Sequence, residues 1–486
     1  TEGNAMRLAL TTAPLLLSVA SGFGGEPVPA TTDQVKQGGI TWHFAKAVPV
    51  GRFVNGDWYV IGPVTVTAID PAPTPERNGA VLNVEQGKGS SFDSRINNHK
   101  PTGRAALPIA MQPGDALISS ISAEKKGVMK CLFDREMNLS PVLSYSVLTC
   151  LPAAVPEGTF RPGYADRQGR TYRAADLQTW RLHRLPRLEG VPDPTKLAGC
   201  FRQPWLDVVG FCFANAAAYQ PQYAREIARA EGAAVLLLNC DFSDEEKRVL
   251  LINFVQYGID LWSIIRDGKD SGWAANGGHG SGRKLAIVFA GTMLGDAEMA
   301  SPSVSRPNVR FGQDMQTSFV KDMPEGMRSS WTGDDVVYTG HRGLWNGQPV
   351  SNTSAQQPYE HLQPRDWTFE TFHYPGRSKP STQYSCELYR RVINSPAWVP
   401  IALAGRIMHL EKSYAHDAFF AYCDRWMGSA EKDAQFREEI MKQIDVQNTK
   451  HDFREEKFWA GRVHDPWFTT MWQAYRDQLP PEPQPR

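Results

Sequence analysis

No sign of charge prevails in this chain: Lys plus Arg and Asp plus Glu both total 52, for a formal net charge of zero. A global field that would gather nucleic acid or an anionic membrane is thereby excluded, and any charged ligand must be met by a local cluster. Cysteine is sparse. The seven residues, at 131, 150, 200, 212, 240, 386 and 423, contain no CxxC pair, which argues against a zinc ribbon or a redox dithiol. Their odd number leaves at least one thiol free, and spacing alone leaves open a Cys131–Cys150 or a Cys200–Cys212 bridge. Histidines show neither HxH nor HxxxH spacing, so no catalytic metal and no cofactor is expected, while a structural calcium ion stays open. After the N-terminal segment no uncharged apolar run is long enough for a bilayer, so no stable membrane insertion is expected.

What the chain does have is length, aromatic rings and two kinds of pattern. At 486 residues it exceeds one ordinary core, and two domains are the expectation. Residues 1–25 read as a secretory signal: Met6-Arg7 supplies a basic start, Leu8 to Leu17 an apolar run, and small residues follow. A buried N-terminal strand or helix is the alternative. The signal reading implies a secreted or periplasmic protein. Fourteen Trp, 15 Tyr and 22 Phe provide flat rings of the kind that stack on sugar faces, although an aromatic core would need them equally.

From 26 to 190 the hydrophobic pattern has period two, as in Val64-Thr65-Val66-Thr67-Ala68 and Pro141 to Leu148, and turn residues punctuate it. An antiparallel β-sandwich-like domain follows, with Asn55-Gly56 predicting a type I′ hairpin turn. From 195 to 480 the period becomes helical. Helices are predicted over 223–238, 244–266 (with a Ser243/Glu246 capping box), 284–293, 387–410, 416–427, 431–446 and 466–478. Short connections favour antiparallel pairs, so the expected class is α+β, with the helical half an (α/α) toroid or incomplete α-barrel. Two long connections, about 296–360 and 361–385, are rich in Gly, Tyr, His and Arg and are expected to carry a site. The Pro-rich end, 480–486, reads as a frayed tail.

Trp273 to Lys284 is the most informative stretch. Asn276-Gly277-Gly278-His279-Gly280-Ser281-Gly282 lets backbone approach a ligand, and Arg283 and Lys284 open a helix whose free N–H groups would receive a carboxylate. The order does not reproduce GxxxxGK[ST], and helix capping is the plainer role for the glycines. A second group is Tyr389-Arg390-Arg391 at a helix start, where guanidinium groups would lower a phenol's pKa; an internal ion-pair lattice accounts for it as well. A third is Tyr338, His341 and Arg342, with His373, Tyr374 and Arg377 in the second connection. Asp93-Ser94-Arg95 and Asn97-Asn98-His99 would reach a cleft if the sheet packed over the helices; Asx turns are their default.

On these residues and this layout the chain resembles polysaccharide lyases built as an (α/α) toroid with a β-sandwich, the alginate, heparinoid and chondroitin lyases. The resemblance is one of architecture and residue kinds. In alginate lyases the Asn and His are adjacent, whereas two glycines separate Asn276 from His279 here. It implies β-elimination on an anionic uronate polysaccharide, with Asn276 and Arg390 holding the carboxylate, His279 as base and Tyr389 as acid. Arg283, Lys284, Tyr338, His341, Arg342, His373, Tyr374 and Arg391 would line the substrate. A glycoside hydrolase using two of Asp314, Glu325, Asp334 and Asp335 is the rival reading. A non-catalytic glycan-binding protein is a third.

Overall fold

The computed structural model describes residues 30–85, 91–96, 99–125, 140–168, 170–207, 213, 215–270, 272–351, 358–367, 385–428, 430–443, 459 and 462–485. The signal-like segment and His373, Tyr374 and Arg377 lie outside them. The protein is mixed α+β. Its sheet has eight strands: β1 (Ala30–Gln37), β2 (Ile40–Arg52), β3 (Trp58–Ile61), β4 (Val64–Asp70), β5 (Ala80–Leu82), β6 (Ile109–Met111), β7 (Ala116–Ser122) and β8 (Val142–Leu151). They run in the order β5-β7-β8-β3-β2-β4-β6, with β1 also on β2. Every pair is antiparallel except β3 with β8.

This is one curled sheet, a half-barrel, where two facing sheets were expected. Bulges between Thr32 and Gln34 in β1 and between His43 and Phe44 in β2 bend the long strands. One face closes on itself around Trp42, Val50, Val60, Leu117 and Leu148. The other face, with Ile118, Tyr145 and Val147, belongs to the same core as the helices. The alternation along β7 and β8 therefore divides side chains between two cores, which is why a period-two pattern arises without a sandwich. The Asn55-Gly56 step also differs from its expectation. Arg52 pairs with Trp58, leaving a five-residue loop in which Gly56 alone has positive φ, at 89°. Asn55 instead donates to Asp57, whose carboxylate is drawn inward by Arg161 at 2.6 Å.

After β8 the chain crosses the helices in short turns and enters α1 (Pro194–Cys200), α2 (Ala224–Leu238), α3 (Asp244–Ile265) and α4 (Lys284–Leu294). Ser243 and Glu246 form the capping box that opens α3, and Gly295 ends α4 at φ 68°. By length and composition α3 could cross a membrane, but 83% of its apolar window is buried here, as suits a core helix. The first long connection, expected as an ordered loop, contains short regular elements: α5 (Ala297–Ala300), α6 (Pro302–Ser305), α7 (Gly312–Met315) and the pair β9 (Thr317–Phe319) with β10 (Val336–Tyr338). The helix predicted over 387–410 is interrupted. It consists of α8 (Ser385–Leu388), a π-helical turn over Tyr389–Asn394 and α9 (Ser395–Ile407). Then follow α10 (Glu411–Tyr414), α11 (Asp417–Gly428), α12 (Ala430–Gln443) and α13 (Pro466–Tyr475).

Every residue of α2 is buried, and glycine sets the closest helix contacts. A Cβ on Gly232 would lie 2.7 Å from the Pro400 carbonyl carbon of α9, and one on Gly258 of α3 would lie 2.4 Å from the Ala286 oxygen of α4. The tail is not frayed throughout, since Pro480 O lies 2.8 Å from His409 Nε2. Cys150, Cys240 and Cys423 are buried free thiols, so Cys150 is not bridged to Cys131; burial pushes the Cys150 and Cys240 thiols up to about 12. Cys131 and Cys212 lie outside the described residues.

Candidate functional site

The glycine-rich loop before α4 is held by two side-chain amides. Gln316 Nε2 and Asn394 Nδ2 donate to Gly277 O at 3.0 and 3.1 Å, and Gly277 N donates to His341 O at 2.9 Å. Gln316 and Asn394 are both wholly buried, and each also donates to Tyr338 Oη. Gly277 has φ 59°, and a Cβ there would lie 2.6 Å from the Tyr389 ring and 2.9 Å from His341 Nε2. Only glycine lets these two rings close over the backbone.

Two His–Tyr pairs flank the Gly277-Gly278 step. His341 meets Tyr389 edge-on at a centroid distance of 4.7 Å, and His279 meets Tyr223 edge-on at 4.9 Å. Tyr223 stands immediately before α2, and its hydroxyl would be 2.6 Å from a Cβ on Gly278. The π-helical turn sends Tyr389 to this side while turning Arg390 and Arg391 into the core; such turns recur at functional sites. His341 is anchored through its backbone N–H to Cys386 Sγ at 3.3 Å, and its buried Nδ1 has no partner among the described residues.

Both imidazoles are held uncharged. Burial pushes His279 down to about 4, helped by the positive charges of Arg283 and Arg342. Burial also pushes His341 down to about 3, helped by Arg342 and by His279. No carboxylate among the described residues opposes these shifts. Arg342 itself is half-buried, and it makes no hydrogen bond or ion pair with any described residue. Asn276 is half-buried in the glycine loop, with its backbone carbonyl accepting from His279 N at 3.1 Å, next to Gly277, whose N–H donates to His341 O. A partly desolvated guanidinium, neutral imidazoles and phenols thus converge, an arrangement suited to receiving an anion and moving a proton.

The other cations expected at the ligand are turned inward. Arg283 bonds Asp207 at 2.6 Å and donates to the His279 and Ser281 carbonyls, so it shapes the loop. Lys284 is buried against Asp314 and over the Tyr414 ring at 4.1 Å. Arg390 is neutralised by Glu387 at 2.8 Å, and Arg391 pairs with the same carboxylate, whose pKa is held well below the usual range. The charge of Arg390 is thus already matched by a carboxylate within the protein. Tyr338, wholly buried, serves as the acceptor for Gln316 and Asn394 rather than as a wall of the cleft.

The carboxylates proposed for hydrolysis stand apart: Asp314 pairs with Lys284, Asp334 with Arg425, and Glu325 and Asp335 are exposed. Asp93 and Arg95 close an Asx turn against the Ala123 and Pro141 carbonyls; Asn97 and Asn98 lie outside the described residues. Tyr223, Gln316 and Asn394 escaped sequence reasoning. Tyr223 did leave a signal, since an aromatic residue occupies an N-cap position that favours Ser, Thr, Asp or Asn. A separate cavity of about 850 Å³, between Trp180, Arg248 and the tail, lies near Lys247 at the far end of α2. Compared with family models, curated proteins and solved structures, the chain matches none.

Proposed function

We propose that this protein is a polysaccharide lyase that cleaves an anionic, uronate-containing polysaccharide by β-elimination. One observation carries the reading: Arg342, a half-buried guanidinium with no ionic partner among the described residues, stands beside two imidazoles held neutral at ordinary pH. A proton α to a carboxylate is removable only when the carboxylate charge is neutralised and an uncharged base is at hand. Arg342 and Asn276 receive the carboxylate, a role that the saturated Arg390 leaves vacant. His279 takes the C5 proton, the C5–H pair forms the C4–C5 double bond, and the C4–O bond breaks. Tyr389 supplies the proton to the departing oxygen, with His341 packed against its ring.

The helix pairs α2 with α9 and α3 with α4 support an incomplete (α/α) barrel as the scaffold, and the signal-like first 25 residues support export. Hydrolysis finds less support, because it needs two carboxylates across the bond and no described carboxylate acts on the two imidazoles. The test is incubation with alginate, glucuronan and glycosaminoglycans, read as the ultraviolet absorbance of an unsaturated uronate. Absorbance growing with at least one polymer is expected. Silence on all of them ends the reading, and new reducing ends without absorbance transfer it to hydrolysis.

A further inference from the structure

We propose that Tyr219 is a sugar-stacking platform at the mouth of this site, binding a pyranose ring that neighbours the residue being cleaved; the inference rests on the polysaccharide reading above. Tyr219 occupies the third position of a four-residue turn, Ala217 to Gln220, closed by Gln220 N donating to Ala217 O at 3.1 Å. Its φ is 68°, in the left-handed region where such a turn ordinarily carries glycine or asparagine. A bulky ring there is a conformational outlier, held only because its surroundings over-determine the turn.

Those surroundings are specific. The Gln220 amide, 1% exposed, accepts from Ala217 N at 2.8 Å and donates to the Gln203 and Pro204 carbonyls at 3.1 and 3.2 Å. Ala218 N donates to Val142 O of β8 at 3.0 Å, so sheet and helical half both grip the turn. The strain delivers nothing to the core: Tyr219 is 55% exposed, and its ring stacks on no described ring. Among the described residues it is the one aromatic in the set of exposed large hydrophobic side chains. An ordinary surface position would relax to glycine, whereas a flat ring with a polar edge presented to solvent matches the C–H face of a pyranose.

Position decides which ligand the ring meets. Tyr219 is four positions before Tyr223, whose ring is edge-on to His279, and a chain of that length spans at most about 14 Å. A polymer that lies across His279 and continues past Tyr223 comes within reach of Tyr219, while a substrate confined to the reacting residue does not.

The full chain and its Tyr219→Ala, Tyr219→Trp and Tyr219→Gly variants are compared on uronate oligosaccharides of increasing length. Tyr219→Ala is expected to raise KM about tenfold on long substrates, the loss of one aromatic contact. It should leave kcat, and KM for the shortest cleaved oligosaccharide, unchanged, while Tyr219→Trp stays close to the parent. Tyr219→Gly fits the turn better, so it should melt no lower than the parent yet bind like Tyr219→Ala, separating binding from folding. An unchanged KM at every length, or the same rise at the shortest, overturns the platform. If the parent cleaves no polymer, binding of the same polymers is measured by calorimetry. Weaker binding by Tyr219→Ala then keeps the platform and discards the lyase reading, and equal binding discards the platform.

Discussion

Arg342 shows how a residue's surroundings can matter more than its identity, since no described residue pairs with it. Four other arginine and lysine residues named from the sequence, Arg283, Lys284, Arg390 and Arg391, are each matched to a carboxylate, whereas Arg342 meets no carboxylate among the described residues. Replacing it with Gln is expected to lower kcat/KM by about 100-fold or more, the usual scale for one group aimed at developing charge. The same change removes one of the cations that depress His279, so the imidazole's pKa rises from about 4 towards its ordinary value. The acidic limb of the pH–rate profile should move up in step. A limb that stays in place would separate Arg342 from His279.

At the level of elements, the π-helical turn between α8 and α9 does two jobs at once. It faces Tyr389 to the glycine step, and it ends at Asn394, whose amide reaches both Gly277 O and Tyr338 Oη. Asn394→Leu keeps the volume and removes the donors. Leaving buried acceptors underserved costs about 1–3 kcal/mol, which urea titration would read, and the slack in the Gly277 step should lower kcat as well. Unaltered kcat in a destabilised variant would mean the amide supports the fold without positioning the rings. Legibility differs sharply within this region. The loop at 276–283 was visible because four glycines so close together disfavour both helix and strand, and Glu387 lies three and four residues before Arg390 and Arg391, a local spacing that already foretold their neutralisation. The partners of Arg283 and Lys284 lie 76 and 30 residues away, beyond any periodicity.

For the whole molecule, Arg161 is the bolt between halves. Fully buried, it bonds Asp57 beside the sheet and Asp260 of α3, both at 2.6 Å. Arg161→Met would strand two buried carboxylates and is expected to cost about 3–5 kcal/mol, measurable by denaturant unfolding. Acidity acts on different buried groups in opposite senses. His279 and His341 are pushed below 6.5, so the unfolded chain binds more protons and their contribution to stability is lost as pH falls from about 6.5 towards 4. Glu231 is the converse: burial raises it from 4.5 to about 7, despite the Arg283 N–H and the Tyr257 hydroxyl on its Oε1. The folded chain then binds the extra proton, and its contribution is lost as pH rises from about 4.5 through 7. Melting temperatures of Glu231→Gln and the parent should therefore diverge in the variant's favour across that window. A constant difference would show that Glu231 ionises normally in the fold.

By itself the sequence determined the α+β class, the helices α2 to α4, the capping box of α3 and the glycine step on which the rings close, because each follows from periodicity or from a local conformational demand. Tertiary structure alone decided that the strands curl into one sheet, that Tyr223 joins His279, and that Arg390 is ion-paired while Arg342 has no ionic partner among the described residues. Hydrophobic pattern is a property of near neighbours along the chain. Whether a charge is spent or available is set by whatever the fold brings beside it.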